Sequence, residues 1–466
     1  MDATPALWIL HLGLGAFHRA HQAVFLQDLH DRGDSRWRLA SGNLRPEPRA
    51  AVDALRAQGG RYTLETVSPS GARRYRSVNS IARVVPFDEA GGELLTLGAA
   101  AATRIVSFTV TEAGYALDPE GRLDALNPEI IEDLRRAREG RIGRTLYGAL
   151  VAMLRGRIAA GSGPLTLLNC DNLRHNGDLV RGGLAQFIDR LGDRELQTWT
   201  SAHVRCPNAM VDRITPRPDA ELRARVRAAT GRDDAAALTS EAYIQWVIED
   251  DFAAGRPAWE SVGVRLVASV QPYEEAKIRL LNASHSVIAW AGTLAGYRYI
   301  HEGAADAEIR AMAHAYVTED AMPCLTPSPV DLPAYRDTVL ARFANAAIAD
   351  TNQRVAMDGY TKLSVFVAPT VRDRLASRSS IAAVAVLPAL YLHFLRRWQQ
   401  ARLPFEYEDS AFDERDAQAL CAADDPVAAL CALPALWGAA AGDARLVDAV
   451  RAADEQVRRF VLARGR

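Results

Sequence analysis

The chain has 466 residues, enough for two or three domains with substantial cores. Hydrophobic residues make up 49% and charged residues 24%, with a net charge of −2, which sets aside a disordered chain, a nucleic-acid surface and attachment to an anionic membrane. Five widely spaced cysteines, Cys170, Cys206, Cys324, Cys421 and Cys431, show neither zinc nor redox spacing, so a reducing, cytoplasmic compartment is expected. Residues 5–12 are apolar but lack a basic leader. Residues 381–395 hold Pro388 and His393 and are too short to span a bilayer, so they read as a core helix.

In chain order, residues 7–12 predict a buried strand running into Gly13-Leu14-Gly15-Ala16-Phe17-His18-Arg19, with helical periodicity through Phe25, Leu26 and Leu29. Strand, glycine turn and helix form the dinucleotide-binding arrangement, in which glycine lets the backbone approach a pyrophosphate. His18 stands where the third glycine of that fingerprint belongs. Gly13, Leu14, Gly15, Ala16, Phe17 and Arg19 are the cofactor-binding candidates; a plain strand–turn–helix is the alternative. Residues 38–45 supply no acidic residue to choose between cofactors, Glu47 being the nearest, so NAD is expected with NADP left open.

Residues 61–67 and 72–87 alternate and are β-branched, as strands outside the nucleotide fold would be. Residues 104–110 predict a buried strand, with Thr111 and Glu112 at its carboxyl end, where parallel sheets gather ligands; Glu112 joins the cofactor candidates. Residues 144–160 predict a helix and 164–169 a strand. The polar stretch 170–177 and the irregular stretch 204–216 read as loops. Residues 264–270 are the last strand-like run, and helical periodicity dominates from Pro272 onward. The expected architecture is therefore α/β. Residues 1–271 form a Rossmann-like dinucleotide-binding domain with extra strands. Residues 272–466 form a mostly α-helical domain for substrate and catalysis.

Of the 55 basic residues only Lys277 and Lys362 are lysine. A guanidinium stays protonated, whereas an amine can be brought toward neutrality by burial and act as a base. Residues 274–290 contain helix formers and neither Pro nor Gly. At about 100° per residue, Glu274, Lys277, Asn282 and His285 fall at about 60°, 0°, 140° and 80°, within one arc of about 140°. A base, an amide and an imidazole followed by the apolar run 287–290 describe a helix lining a cleft near the domain boundary, where small-molecule sites form. On its own His285 would read as a satisfied core histidine. Arg354 and Lys362 are the polar residues expected to face the same cleft; an exposed face with ordinary ion pairs is the alternative. No histidine–carboxylate group has metal-ligand spacing, so no metal is expected.

Taken together, these stretches identify a resemblance to the mannitol dehydrogenase family, the polyol-specific long-chain dehydrogenases and reductases. Its markers are FHRAHQ at 17–22 after the glycine turn, VTEAGY at 110–115, CDN with a nearby NG at 170–177, PNAMVDRITP at 207–216, and the Lys–Asn–His helix. Residues 289–302 are similar to the branch acting on D-arabinitol. The resemblance implies a zinc-independent, lysine-dependent dehydrogenase interconverting a polyol and a ketose with NAD or NADP. By that resemblance Lys277 is the general base, and Asn172 and Asn282 hold the reacting oxygen. Likewise, His285, Asp212, Arg354 and Lys362 grip other hydroxyls, and Glu274 is a gate or proton route. The acidic residue that some relatives place near position 48 is not matched. The rivals are branches acting on mannitol or a hexuronate, a non-catalytic nucleotide-binding protein, and a dehydrogenase of phosphorylated substrates. The oligomeric state stays open, a monomer included.

Overall fold

The computed structural model describes residues 6–46, 49–118 and 121–464, with the side chains of Arg49 and Glu112 left aside. Twelve strands form among them: β1 (Leu7–Leu12), β2 (Trp37–Gly42), β3 (Tyr62–Val67), β4 (Arg73–Val78), β5 (Ile81–Val85), β6 (Thr103–Phe108), β7 (Leu165–Asn169), β8 (Val204–Arg205), β9 (Ala209–Asp212), β10 (Leu238–Glu241), β11 (Gln245–Glu249) and β12 (Arg265–Val267). Six of them make a wholly parallel sheet in the order β5-β2-β1-β6-β7-β8. β6 and β7 are almost wholly buried, as strands covered by helices on both faces must be. The chain leaves β1 for β2 on one side and returns as β6 on the other, which opens a crevice at the carboxyl ends of β1 and β6. Register places Leu12 beside both Gly42 and Phe108, so three strand ends finish level at that edge.

Two smaller sheets depart from the sequence reading. β3 and β4 do stand outside the main sheet, joined by β10, but β5, expected to stand outside with them, is the edge strand of the main sheet. Residues 204–216, expected as a loop, contain β8 and β9, and β9 pairs antiparallel with β11. Asn176 and Gly177 open the helix Asn176–Leu191 rather than close a loop. The core helix expected over 381–395 starts later, at Val386–Gln399.

The chain divides into two compact units with the main boundary between Gln271 and Pro272, the short segment Pro69–Gly71 grouping with the second. Beyond that point the regular elements among the described residues are all helices, and the one strand-type pairing is an isolated bridge, Tyr299 to Thr351. The centre of this unit is the helix Ala283–Leu294, whose residues from Ser286 onward are all buried. No helix among the described residues is long and apolar enough to cross a membrane.

Candidate functional site

In the N-terminal unit the site is built mainly by backbone. Gly13 has φ +107°, and a Cβ there would lie 2.0 Å from the Thr109 carbonyl oxygen, so no other residue fits. The turn is tied on three sides. The Gly13 amide donates to the Gly42 carbonyl (2.8 Å), the Leu14 amide to Asn43 Oδ1 (2.6 Å), and Thr109 Oγ1 to the Gly13 carbonyl (3.1 Å). Gly15 is different: a Cβ there would meet nothing nearer than 4.0 Å, so the fold itself does not require glycine. A groove of ≈ 370 Å³ runs along this edge past Gly13, Asn43, Thr109, Thr111, Gly114 and Arg144. A second, of ≈ 300 Å³, lies at the end of β2 against Asn43, Arg45, Asp53, Arg56 and Phe87.

His18, in the place of the third glycine, is fully buried. Its ring stacks on His11 of β1, with centroids 3.5 Å apart and planes 8° from parallel. His18 Nε2 pairs with Ser41 Oγ (3.0 Å), and His11 pairs with Ser107 Oγ (2.8 Å) and Thr109 Oγ1 (3.1 Å). Burial lowers both: His18 to about 3, and His11 well below its usual value. Both rings are therefore neutral, as a stacked pair must be to avoid facing charges. Arg19 turns inward, donating to the Ala236 carbonyl (2.6 Å) and lying over the Tyr62 ring. Its charge is thus held against the second sheet and not brought to the turn.

At the end of β6, Thr111 adopts φ +65°, a left-handed conformation that a β-branched residue adopts only when held there. Asp171 holds it, accepting from the amides of Val110 (2.9 Å) and Thr111 (3.1 Å) and from the Tyr115 hydroxyl. Burial raises the Asp171 carboxyl. Glu112 opens the 3-10 turn Glu112–Tyr115, and its side chain lies outside the described residues, as do Glu47 and Pro48. Asn172 is exposed in the short turn after β7. Asp212 closes β9, buried, opposite Gln245 of β11.

In the C-terminal unit the site is built by side chains, and the helix that carries them is not a plain α-helix. Gln271–Ala276 is α-helical, Lys277–Asn282 is a π-helix, and Ala283–Leu294 resumes the α-helix. With i→i+5 bonds each residue advances roughly 80° instead of about 100°, so residues five apart come nearly one above the other. Lys277 and Asn282 are five apart. The wide divergence expected for them on a continuous α-helix therefore closes to a few tens of degrees. Two hydroxyls bond back onto carbonyls of this turn: Ser284 donates to the Leu280 carbonyl and Ser286 to that of Asn282 (3.3 Å). Arg279, inside the turn, pins it through Glu275 (2.8 Å) and Asp373 (2.5 Å). Glu274 and Lys277 are both buried.

One turn further, His285 stacks on Phe343 with centroids 4.4 Å apart, and its Nε2 lies 3.6 Å from Asp350 Oδ2. Burial lowers this imidazole to about 3 despite Asp350, so it is neutral at working pH. Arg354 donates through Nε to Asp350 Oδ1 (2.6 Å) and through Nη2 to Oδ2. Lys362 donates to the carbonyls of Val355 (2.7 Å) and Met357, and it acts on the His285 ring together with Arg354 and Arg342. His285, Arg354 and Lys362 are thus brought together. Asp350, which joins two of them, was missed as a candidate; a carboxylate four residues before an arginine in a helix-rich stretch was the available signal. Among the described residues, no three His, Cys, Asp or Glu side chains gather as metal ligands.

A parallel sheet with a glycine turn at its switch point, followed by a helical unit with a buried lysine, defines a Rossmann-type two-unit protein. The chain belongs to the mannitol dehydrogenase family: residues 8–261 match the Mannitol dehydrogenase Rossmann domain and residues 269–458 the Mannitol dehydrogenase C-terminal domain. It is 53% identical to D-arabinitol 4-dehydrogenase of Ralstonia nicotianae over 98% of this chain and 97% of that protein. It is 48% identical to D-arabinitol 4-dehydrogenase of Klebsiella pneumoniae over 95% and 96%. Among solved structures it is similar to Pseudomonas fluorescens mannitol 2-dehydrogenase in a ternary complex with NAD and D-mannitol, with a TM-score of 0.84 at 35% identity, covering 99% of this chain and 94% of that one.

Proposed function

We propose that the chain is a metal-independent polyol dehydrogenase working with NAD, and that it converts D-arabinitol to D-xylulose and back. The observation that carries this reading is the π-helical turn. One of the two lysines in the sequence is buried there, with an amide donor brought onto its side of the helix. A buried amine aligned with an amide suits removal of a proton from an alcohol and stabilisation of the oxygen left behind.

The glycine turn fits a dinucleotide. Gly13 is required by the fold, whereas Gly15 is not, and a glycine the fold does not need is explained by the close approach of a ligand to backbone. NAD bound there supplies the acceptor for the hydride. The remaining steps fall to side chains. Lys277, neutral, takes the hydroxyl proton as the carbinol C–H bond breaks and the C–O bond becomes a carbonyl. Asn282 donates a hydrogen bond to that oxygen as negative charge grows on it, and Asn172 is assigned the same role by the family resemblance. One such donor is worth about 3–4 kcal/mol in the transition state. Glu274, one turn before Lys277, is assigned the relay that returns the proton to solvent. His285, Arg354, Lys362 and Asp212 are assigned the remaining hydroxyls. In the reductive direction the protonated lysine gives its proton to the ketose oxygen. A cytoplasmic setting suits five free cysteines.

A panel of D-arabinitol, mannitol, sorbitol and fructuronate with NAD and NADP tests the reading. D-Arabinitol with NAD should give the highest kcat/KM and yield D-xylulose, with oxidation favoured as pH rises, and chelators should leave the rate unchanged. No turnover of any polyol by a chain that binds NAD would overturn it.

A further inference from the structure

We propose that Asp350 is a specificity-determining residue that reserves the helical unit's substrate region for uncharged sugars by occupying the guanidinium of Arg354. The inference rests on the polyol assignment above. Asp350 lies between the 3-10 turn Ala346–Ile348 and the helix Asn352–Ala356, and its side chain is only 9% exposed. Both of its oxygens face the Arg354 fork, one at 2.6 Å from Nε and the other paired with Nη2. This is the two-pronged geometry by which arginine recognises a carboxylate. The same Oδ2 lies 3.6 Å from His285 Nε2, so one buried anion holds the Arg354 fork and adjoins a second candidate substrate contact.

The neighbouring cations show why this pairing matters. Three act on the His285 ring: Arg354, Lys362 and Arg342. Lys362 already donates to two backbone carbonyls, and Arg342 is buried at 4% exposure. Arg354 alone is open, with its side chain 63% exposed. It is also the one whose flat fork could clamp an acid group on a sugar. Asp350, four residues away, fills that fork from within the chain. An incoming carboxylate must displace it and also face its charge. A hydroxyl meets no such obstacle, since it can donate to the carboxylate and accept from the guanidinium. Asp350 therefore admits polyols and ketoses and turns away aldonates and hexuronates.

The test uses the full-length enzyme with NAD and D-arabinonate, the five-carbon acid of the same chain length as arabinitol, as a competitive inhibitor of polyol oxidation. Asp350→Asn removes the charge and frees the fork, so the inhibition constant should fall about 10-fold or more. The Asp350→Asn/Arg354→Gln double variant should lose that gain. Arg354→Gln alone, which leaves the carboxylate uncompensated, should weaken inhibition below wild type, and this arm decides the matter if Asp350→Asn does not fold. Unchanged inhibition in Asp350→Asn, a gain retained in the double variant, or tighter inhibition in Arg354→Gln would overturn the proposal. If no polyol is turned over, the functional reading fails separately, and calorimetric titration of D-arabinonate into the NAD-loaded variants still decides the role of Asp350.

Discussion

The glycine turn after β1 and the π-helical turn at Lys277 both carry a candidate site out of regular secondary structure, and they do so by opposite means. At Gly13 the chain works by removal. A missing Cβ lets the turn pack against the Thr109 carbonyl oxygen, from which a Cβ at Gly13 would lie only 2.0 Å, and three hydrogen bonds fix what remains. At Lys277 the chain works by addition. One extra residue in a helical turn swings Asn282 toward the lysine, and Ser284, Ser286 and Arg279 absorb the disturbance. The first device brings bare backbone close to whatever lies beside it, and it suits a cofactor used by many proteins. The second places particular side chains, and it suits one reaction.

This contrast is broken most forcefully at Lys277. Lys277→Ala should lower kcat about 10³-fold or more while NAD affinity stays near wild type, measured by steady-state kinetics and fluorescence titration. Lys277→Arg should be almost as poor, because it keeps the charge and loses the base. An arginine variant with a normal pH profile would remove the lysine from the chemistry. Asn282→Ala tests the alignment supplied by the π-turn. Loss of one oxyanion donor predicts a fall of about 10²–10³ in kcat with KM little changed. A change confined to KM would mean that Asn282 binds substrate without meeting the developing charge.

The glycines sharpen the other half. Gly13→Ala places a methyl group on the Thr109 carbonyl in a left-handed backbone, so both the fold of the turn and NAD binding should be lost. Gly15→Ala leaves the fold intact, since its Cβ meets nothing within ordinary contact, and should weaken NAD by about 10-fold with an unchanged melting temperature. Equal effects of the two substitutions on stability would show that the turn, and not the ligand, demands both glycines.

How much of this was legible in the sequence follows the same division. β1 and its turn were visible because a short apolar run and glycine are local signals, and so were the Rossmann-like and helical halves. β8 and β9 were not, because strands of two and four residues exist only through partners elsewhere, β9 through β11 more than thirty residues later. The edge position of β5 was hidden for the same reason. The π-turn left no compositional mark: 274–290 has α-helical propensity throughout, and a wheel drawn at one fixed angle cannot contain an inserted residue. Asp350 gained meaning only when folding put it beside His285, sixty-five positions earlier. Arg19, next to the glycine motif in sequence, faces away from the turn because Tyr62 and Ala236 offer it a buried site.

The smallest expected effect concerns the histidine in the place of the third glycine. His18 has a folded-state value of about 3 against an ordinary 6.5, because burial beside His11 disfavours its charge. Between these values the unfolded chain binds a proton that the folded chain refuses. Stability therefore rises with pH across this window, is complete above about 6.5, and is lost as the solution is acidified toward 3. Each such histidine contributes about 1.4 kcal/mol per pH unit inside the window. His285, also near 3, adds a second slope of the same sign from the helical unit. His11, lowered by burial in the same way, adds a third, so denaturant unfolding followed from pH 7 to pH 5 should show all three, and His18→Gln and His285→Gln should each reduce the slope by about one proton. NAD affinity separates the two units: both rings stay neutral in the folded protein from pH 7 to pH 5, so His18→Gln should weaken NAD at every pH, because the ring stacks on His11, which reaches the turn through Thr109, and His285→Gln should leave NAD binding unchanged. If both substitutions left NAD binding equally unchanged, the histidine stack would have no special hold on the turn, and its contribution would be packing alone.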